Sequence, residues 1–178
     1  MKLNNTSSRH VRRKLSDALP NIWRFALSLS GNPDVADDIV QSTCLRAIEK
    51  AHQFKEGSNF TGWVLVICRS IWLNELRSAA IRRTGGLETA SVSDLIDRQQ
   101  NLEVNLFAAQ VYDKIMNLPE AQRSAVELVY VQEFTYSEAA HILDVPIGTI
   151  MSRLSTARKK LSSLNATDAE GRIGKIVR

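Results

Sequence analysis

Apolar residues recur at helical spacing in two blocks of this chain, and between the blocks the recurrence stops. In the first block Leu19, Ile22, Trp23, Ala26 and Leu27 follow a helical period. Gly31-Asn32-Pro33-Asp34 reads as a turn, with Asp34 placed to start a second helix that runs to about Ala51. Phe54 to Thr61 reads as a loop around Gly57, and a long helix is predicted from about Gly62 to Arg83. In the second block a helix is predicted over Glu103–Asn117. Leu118-Pro119-Glu120 breaks it and starts another, to about Val131. Thr135-Tyr136-Ser137-Glu138 has the form of a capping box, in which a Thr oxygen takes a backbone N–H and the Glu reaches back. The short helix it opens ends near Leu143, Asp144-Val145-Pro146 turns the chain, and a last helix runs from Ile147 to about Leu161. No alternating stretch is long enough to argue for a sheet. The expected fold is all-α: two small helical domains, near 15–83 and 103–164, joined by a flexible linker over 84–102.

Short helix, tight turn, second helix is the pattern of a helix-turn-helix. Ala140 is small where the two helices approach, Asp144 stands at a turn position where positive φ is common, and Ile150 falls where the second helix must plug the core. On the last helix Ile147, Ile150, Leu154, Ala157 and Leu161 form one apolar stripe. The opposite side carries Gly148, Thr149, Ser152, Ser155, Thr156 and Lys159, with Arg153 and Arg158 beside them. Small hydroxyls let a helix sit deep in a major groove while flanking cations reach phosphates. A solvated helix with a basic end has the same pattern.

The second helix has two unlike sides. Val35, Ile39, Val40, Thr43, Cys44, Ala47 and Ile48 are the expected buried stripe. Asp34, Asp38, Gln41, Ser42, Leu45 and Glu49 face the other way. That side is acidic and unsuited to nucleic acid, and Leu45 stands near its middle. An apolar anchor ringed by polar groups suits a protein partner, although a single exposed Leu also occurs on idle surfaces. The long helix lines up Trp63, Ser70, Asn74 and Arg77 just after the loop residues Lys55, Ser58 and Asn59. Rings, hydroxyls, amides and cations together suit unpaired bases. Aromatic residues on a half-buried helix are usually core, the bland reading for Phe60 and Trp72, while Trp63 stands evenly between the two.

Composition narrows the classes. Gly and Pro number 8 and 4, too few for a turn-dense all-β fold. The longest apolar run, Trp63 to Cys68, is far short of the roughly 20 residues of a membrane span. The polar, basic start Met1–Arg13 predicts no secretory signal, and Asn165–Arg178 is expected to be a loose tail. Cys44 and Cys68 form no CxxC or Cys/His cluster, so both are expected to be structural, with no metal, no cofactor and no required disulfide in a reducing cytoplasm. The three histidines lie far apart, and no acid–base or nucleophile cluster suggests an enzyme. Residues 1–83 hold 13 Lys and Arg against 7 Asp and Glu, a balance that favours a polyanionic partner. Residues 84–106 reverse it, with 1 basic and 4 acidic side chains.

Taken together, residues 19–83 and 107–161 resemble the two domains of an extracytoplasmic-function (ECF, group 4) sigma factor of bacterial RNA polymerase. The motifs that carry the resemblance are Asp34-Val-Ala-Asp-Asp-Ile-Val-Gln41 with Ala47, Phe60-Thr-Gly-Trp63, Leu118-Pro-Glu-Ala-Gln-Arg123, Tyr136-Ser-Glu-Ala-Ala140, Val145-Pro-Ile-Gly-Thr-Ile150 and Ser152-Arg-Leu154. The resemblance implies a transcription initiation factor that binds core polymerase and recognises −10 and −35 promoter elements.

It further implies that the strip Asp34, Asp38, Gln41, Leu45 and Glu49 docks on the β′ clamp helices. Lys55, Ser58, Asn59, Phe60, Trp63, Ser70, Asn74 and Arg77 would then read the melted −10 strand, where a base is flipped out. Thr149, Met151, Ser152, Arg153, Ser155, Thr156, Arg158 and Lys159 would read the −35 duplex. The acidic linker would thread the RNA-exit region. The β flap and an anti-sigma factor are further implied partners, with no membrane insertion. Three positions depart from the family pattern: Ser70 stands where Asn is common, Met151 where Lys or Arg is frequent, and Asp144 replaces the usual turn Gly. The rival readings are a stand-alone helix-turn-helix regulator of duplex DNA and a sigma-factor mimic that titrates a regulator. The first leaves the Leu45 side of the second helix without a role.

Overall fold

The structure, a computed structural model, describes residues 3–84 and 111–173, with side chains over 8–82 and 111–162. All regular structure among them is helical. The chain divides into two compact units, the first containing the helices of the N-terminal block.

In that unit α1 spans Leu3–Ser30, α2 Pro33–Glu49 and α3 Phe60–Thr84, with a short 3-10 turn at Ala51–Gln53. α1 starts far ahead of the residues whose period announced it. Val11, Leu15, Ala18, Ile22, Phe25, Ala26 and Leu29 are buried, a stripe at spacings of three and four along the helix. Of the expected apolar positions, Ile22, Ala26 and Leu27 lie in the core, whereas Leu19 and Trp23 are exposed. They border a shallow apolar depression with Pro20, Arg24 and Val40.

The turn between α1 and α2 explains why both helices end where they do. Gly31 adopts φ 71°, the left-handed conformation that closes a helix, and its N–H bonds the Leu27 carbonyl at 2.8 Å. Asn32, not Asp34, is the N-cap of α2: its Oδ1 accepts the Val35 N–H at 3.1 Å, and Pro33 fills the first turn where no N–H is needed. The buried side of α2 is Ala36, Ile39, Thr43 and Ala47. Val35 is exposed, and Val40, Cys44 and Ile48 are half-buried, so the stripe is narrower than expected and shifted by one residue at its start. α3 begins two residues before the expected Gly62, because Asn59 caps it through Oδ1 to the Gly62 N–H at 3.0 Å. Val64, Leu65, Ile67 and Cys68 drive its first half into the core.

In the second unit, residues 111–116 are helical, α4 spans Glu120–Val126 and continues as a π-type turn over Glu127–Val131. The expected start at Glu103 and the whole linker 84–102, save Thr84, lie outside the described residues. Then come α5, Tyr136–Leu143, and α6, Ile147–Ile173. The helix therefore continues through 165–173, where a loose tail is expected from the sequence. Ala125, Val126, Leu128, Ala139, Ile150, Leu154 and Ala157 are buried. Arg123 is buried as well, and its Nη1 donates to the carbonyls of Met116 at 2.9 Å and Leu118 at 3.3 Å. The guanidinium satisfies carbonyls that the break at Pro119 leaves without helical partners. Burial lowers its pKa from the usual arginine value, with the nearby Glu120 acting against that shift.

Candidate functional site

Three surfaces emerge from this framework. The first is the outward side of α2. With Ala36, Ile39, Thr43 and Ala47 turned inward, the 3.6-residue period leaves Asp34, Asp38, Gln41, Leu45 and Glu49 in one exposed line. Leu45 is 65% exposed in the middle of three carboxylates and an amide. Glu49 lies 3.9 Å from Arg46, a pair too open to water to contribute much stability. One flank of the line is tied to α1 through Asp37, whose Oδ1 accepts a 2.7 Å bond from the Trp23 indole.

The second surface is the loop before α3 and the line that follows it. Lys55, Glu56, Gly57, Ser58 and Asn59 are all exposed. Gly57 has φ 85°, which a side chain rarely adopts, and Ser58 closes the turn by donating from Oγ to the Lys55 carbonyl at 2.7 Å. Beneath the loop three rings pack together: Phe54 and Phe60 edge-on at 5.2 Å, and Trp63 tilted against them at 5.3 and 5.7 Å. Phe60, 8% exposed, packs its ring against Phe54 and Trp63, the core placement that its sequence context also allows. Trp63 itself is half-buried, with part of its surface in solvent. Ser70, Asn74 and Arg77 are exposed on the same line of α3. The Ser70 hydroxyl donates to the Ile67 carbonyl at 2.7 Å, and Arg77 donates to Asn74 Oδ1 at 2.8 Å. Lys14 enters this surface from α1, its Nζ 5.2 Å from the Phe54 ring centre and 5.7 Å from that of Phe60. The sequence reading starts the domain at residue 15 and leaves Lys14 just outside it. The signal was the spacing of Val11, Leu15, Ala18 and Ile22.

The third surface belongs to α5 and α6. The capping box forms as expected: Glu138 Oε2 accepts from the Thr135 N–H at 2.9 Å and its hydroxyl at 2.8 Å, while Thr135 Oγ1 accepts the Glu138 N–H at 3.2 Å. Asp144 takes φ 46°, the positive angle expected of it. α6 turns Ile150, Leu154 and Ala157 inward, but Ile147 is 47% exposed and Leu161 half-buried, so the stripe loses both ends. Met151, Ser152, Thr156, Arg158 and Lys159 are exposed, and Thr149, Arg153 and Ser155 half-buried. Ser152 and Thr156 spend their hydroxyl protons on the carbonyls of Thr149 and Ser152, each at 3.0 Å, which leaves oxygen lone pairs for an outside donor.

The two cysteines are unpaired thiols. Burial pushes the Cys68 thiol up to about 12 and raises that of the half-buried Cys44. Such thiols are poor nucleophiles. Among the described residues no group of acidic, His or Cys side chains could hold a metal ion, and no helix is long and apolar enough to cross a membrane.

Residues 15–81 match the Sigma-70 region 2 family and residues 108–161 the Sigma-70, region 4 family. The ECF RNA polymerase sigma factor EcfG of Rhodopseudomonas palustris (strain TIE-1) is 37% identical over 160 residues, spanning 89% of this chain and 86% of its own. The chain belongs to the ECF sigma factors of bacterial RNA polymerase. This sigma factor is also 33% identical over 142 residues to SigC of Mycobacterium tuberculosis (strain CDC 1551 / Oshkosh), across 79% of the chain and 75% of the relative. Among solved structures it is similar to RpoE from Bartonella quintana, crystallised with the anti-sigma factor NepR: TM-score 0.69, 32% identity, 88% of this chain and 97% of that one. CnrH, solved with the cytosolic domain of CnrY, shares the fold at TM-score 0.58 and 22% identity, over 93% and 96% of the two chains. The family acts in promoter-specific transcription initiation without catalysing a reaction of its own. A stand-alone DNA regulator is not favoured, since the region 2 match covers the block that reading leaves idle.

Proposed function

We propose that the sigma factor divides its work among the three surfaces. The line Asp34, Asp38, Gln41, Leu45 and Glu49, within a domain over 15–83, docks on the β′ clamp helices of core polymerase. Lys55, Ser58, Asn59, Trp63, Ser70, Asn74 and Arg77 hold the melted −10 strand, Trp63 by stacking and the polar groups by reading base edges and phosphates. In the domain over 103–164, Thr149, Met151, Ser152, Arg153, Ser155, Thr156, Arg158 and Lys159 read the −35 duplex, and that domain meets the β flap. An anti-sigma factor is a further partner, by likeness to the Bartonella quintana sigma factor solved with NepR.

The observation that carries this reading is Leu45. Leu45 is a large apolar side chain 65% exposed at the centre of an acidic line that repels nucleic acid, whereas a protein surface with an apolar pocket and basic rim matches it. The cytoplasm follows as the place of action, since polymerase and promoter are there. Transcription in vitro with core polymerase on genomic fragments, with start sites mapped, tests the assignment. Promoter-specific starts that vanish when Leu45→Arg replaces the wild type support it, and starts unaffected by that change refute it.

A further inference from the structure

We propose that Lys14 is a phosphate-binding residue of the single-strand site, brought to it by the first helix. The inference rests on the −10 reading of the Trp63 surface and adds to it a cation from a part of the chain that the sequence motifs do not reach.

Three observations carry it. First, Lys14 is fixed in place. Val11, Leu15 and Ala18 are buried on either side of it along α1, so the turn that bears Lys14 is held by the core and does not swing with a tail. Second, the ammonium is aimed at the aromatic cluster. Its Nζ lies 5.2 Å from the centre of Phe54 and 5.7 Å from that of Phe60. The same two rings support Trp63 at 5.3 and 5.7 Å, so the charge and the stacking ring stand one ring apart. Third, among the described residues the ammonium lies against ring faces, and a phenyl face attracts a cation weakly while offering no full hydrogen-bond acceptor for its three donors.

Single-strand sites combine a ring on which a base stacks with a cation that meets the adjoining phosphate. Trp63 and Lys14 are that combination, mounted on a shared Phe54–Phe60 base. Neighbouring Arg13 and Arg12 are exposed and add positive potential on the same helix, in keeping with a polyanionic occupant rather than an acidic peptide docked by shape. The occupant is the sugar–phosphate backbone of the unpaired promoter strand. A phosphate there also fixes register, because a base can stack on Trp63 only at a set distance from the phosphate Lys14 holds.

The test uses holoenzyme, assembled from core polymerase and the full chain. The probe is a fluorescent single-stranded oligonucleotide spanning the melted region of a promoter mapped with that holoenzyme. Binding is titrated at several salt concentrations for wild type, Lys14→Gln, Lys14→Arg and Trp63→Ala. A lost contact to one phosphate makes the slope of log affinity against log salt shallower by about 0.7 on a single strand. Lys14→Gln should bind several-fold more weakly with that shallower slope, and Lys14→Arg should restore both. A neutral methylphosphonate scan should find one position that weakens the wild type and leaves Lys14→Gln unaffected. If Lys14→Gln weakens binding without altering the slope, Lys14 only supports the rings and the inference is wrong. If Trp63→Ala weakens binding and Lys14→Gln does nothing, the inference fails while the −10 reading stands. If neither changes binding, both fail together.

Discussion

The indole of Trp23 and the carboxylate of Asp37 join α1 to α2 across a 2.7 Å hydrogen bond. The bond lies at the flank of the line that holds Asp34, Asp38, Gln41, Leu45 and Glu49, so it sets how that line is carried by the helix pair. A bond to a charged acceptor is worth about 1.5–3 kcal/mol when shielded, and this one is exposed, so the low end or less applies. Trp23→Phe should therefore lower stability by about 1 kcal/mol, measured by urea denaturation. Asp37→Asn, which keeps an acceptor, should cost less.

Arg123 is a larger structural commitment. Replacing it with Met removes the donor from two carbonyls, those of Met116 and Leu118. An unpaired buried acceptor costs about 1–3 kcal/mol. Arg123→Met should then destabilise the second unit by about 2 kcal/mol or more, seen as a lower denaturation midpoint.

The capping box at Thr135 holds the start of α5. Thr135→Ala removes the oxygen that takes the Glu138 N–H and the hydroxyl that donates to Glu138, leaving only the backbone N–H bond to Glu138. Caps of this kind contribute about 1 kcal/mol. The helix ahead of α6 should fray, visible as faster amide exchange over Tyr136–Leu143, and Thr135→Ser should restore protection.

Cys68 predicts the direction of an alkaline effect. Its folded pKa is about 12, against an unperturbed 9.0. Between those values the unfolded thiol has lost its proton and the folded one has kept it, so the unfolded state binds fewer protons and stability falls as pH rises. Below pH 9 the thiol contributes no pH dependence. Against Cys68→Ala as reference, the wild type should lose up to about 1.4 kcal/mol per pH unit within that window. Ellman's reagent should leave Cys68 unlabelled in the folded chain at pH 8.

Much of this was legible in the residues, and the failures have physical causes. Helix order, the Thr135–Glu138 box, the positive φ of Asp144 and the outward Leu45 all follow from local rules of spacing and capping, which act within a few residues. The start of α1 was missed because Arg9, Arg12, Arg13 and Lys14 surround Val11 and mask the beginning of the buried stripe Val11, Leu15 and Ala18. Phe60 reads from the sequence as a ring for bases or for the core, and its packing against Phe54 and Trp63 is a contact that local pattern does not reveal. Val35 and Ile147 were expected inside. Each lies in the first turn of its helix, where the chain has just entered and fewer neighbours cover it. The buried guanidinium of Arg123 and the reach of Lys14 to Phe54 depend on partners far along the chain, which no local pattern reveals.

The measurement that bears most directly on the central claim, that the outward line of α2 is the polymerase-docking surface, is a circular-dichroism melt of Leu45→Arg beside a pull-down with core polymerase. Leu45 is exposed, so the substitution buries no charge and the melt should match the wild type. Anchors at the centre of an interface cost about 2 kcal/mol or more when removed, which is roughly a thirtyfold loss of affinity. The account predicts a folded protein that no longer retains polymerase, with Asp38→Arg acting in the same direction. A folded Leu45→Arg variant that retains polymerase as well as the wild type does would contradict it.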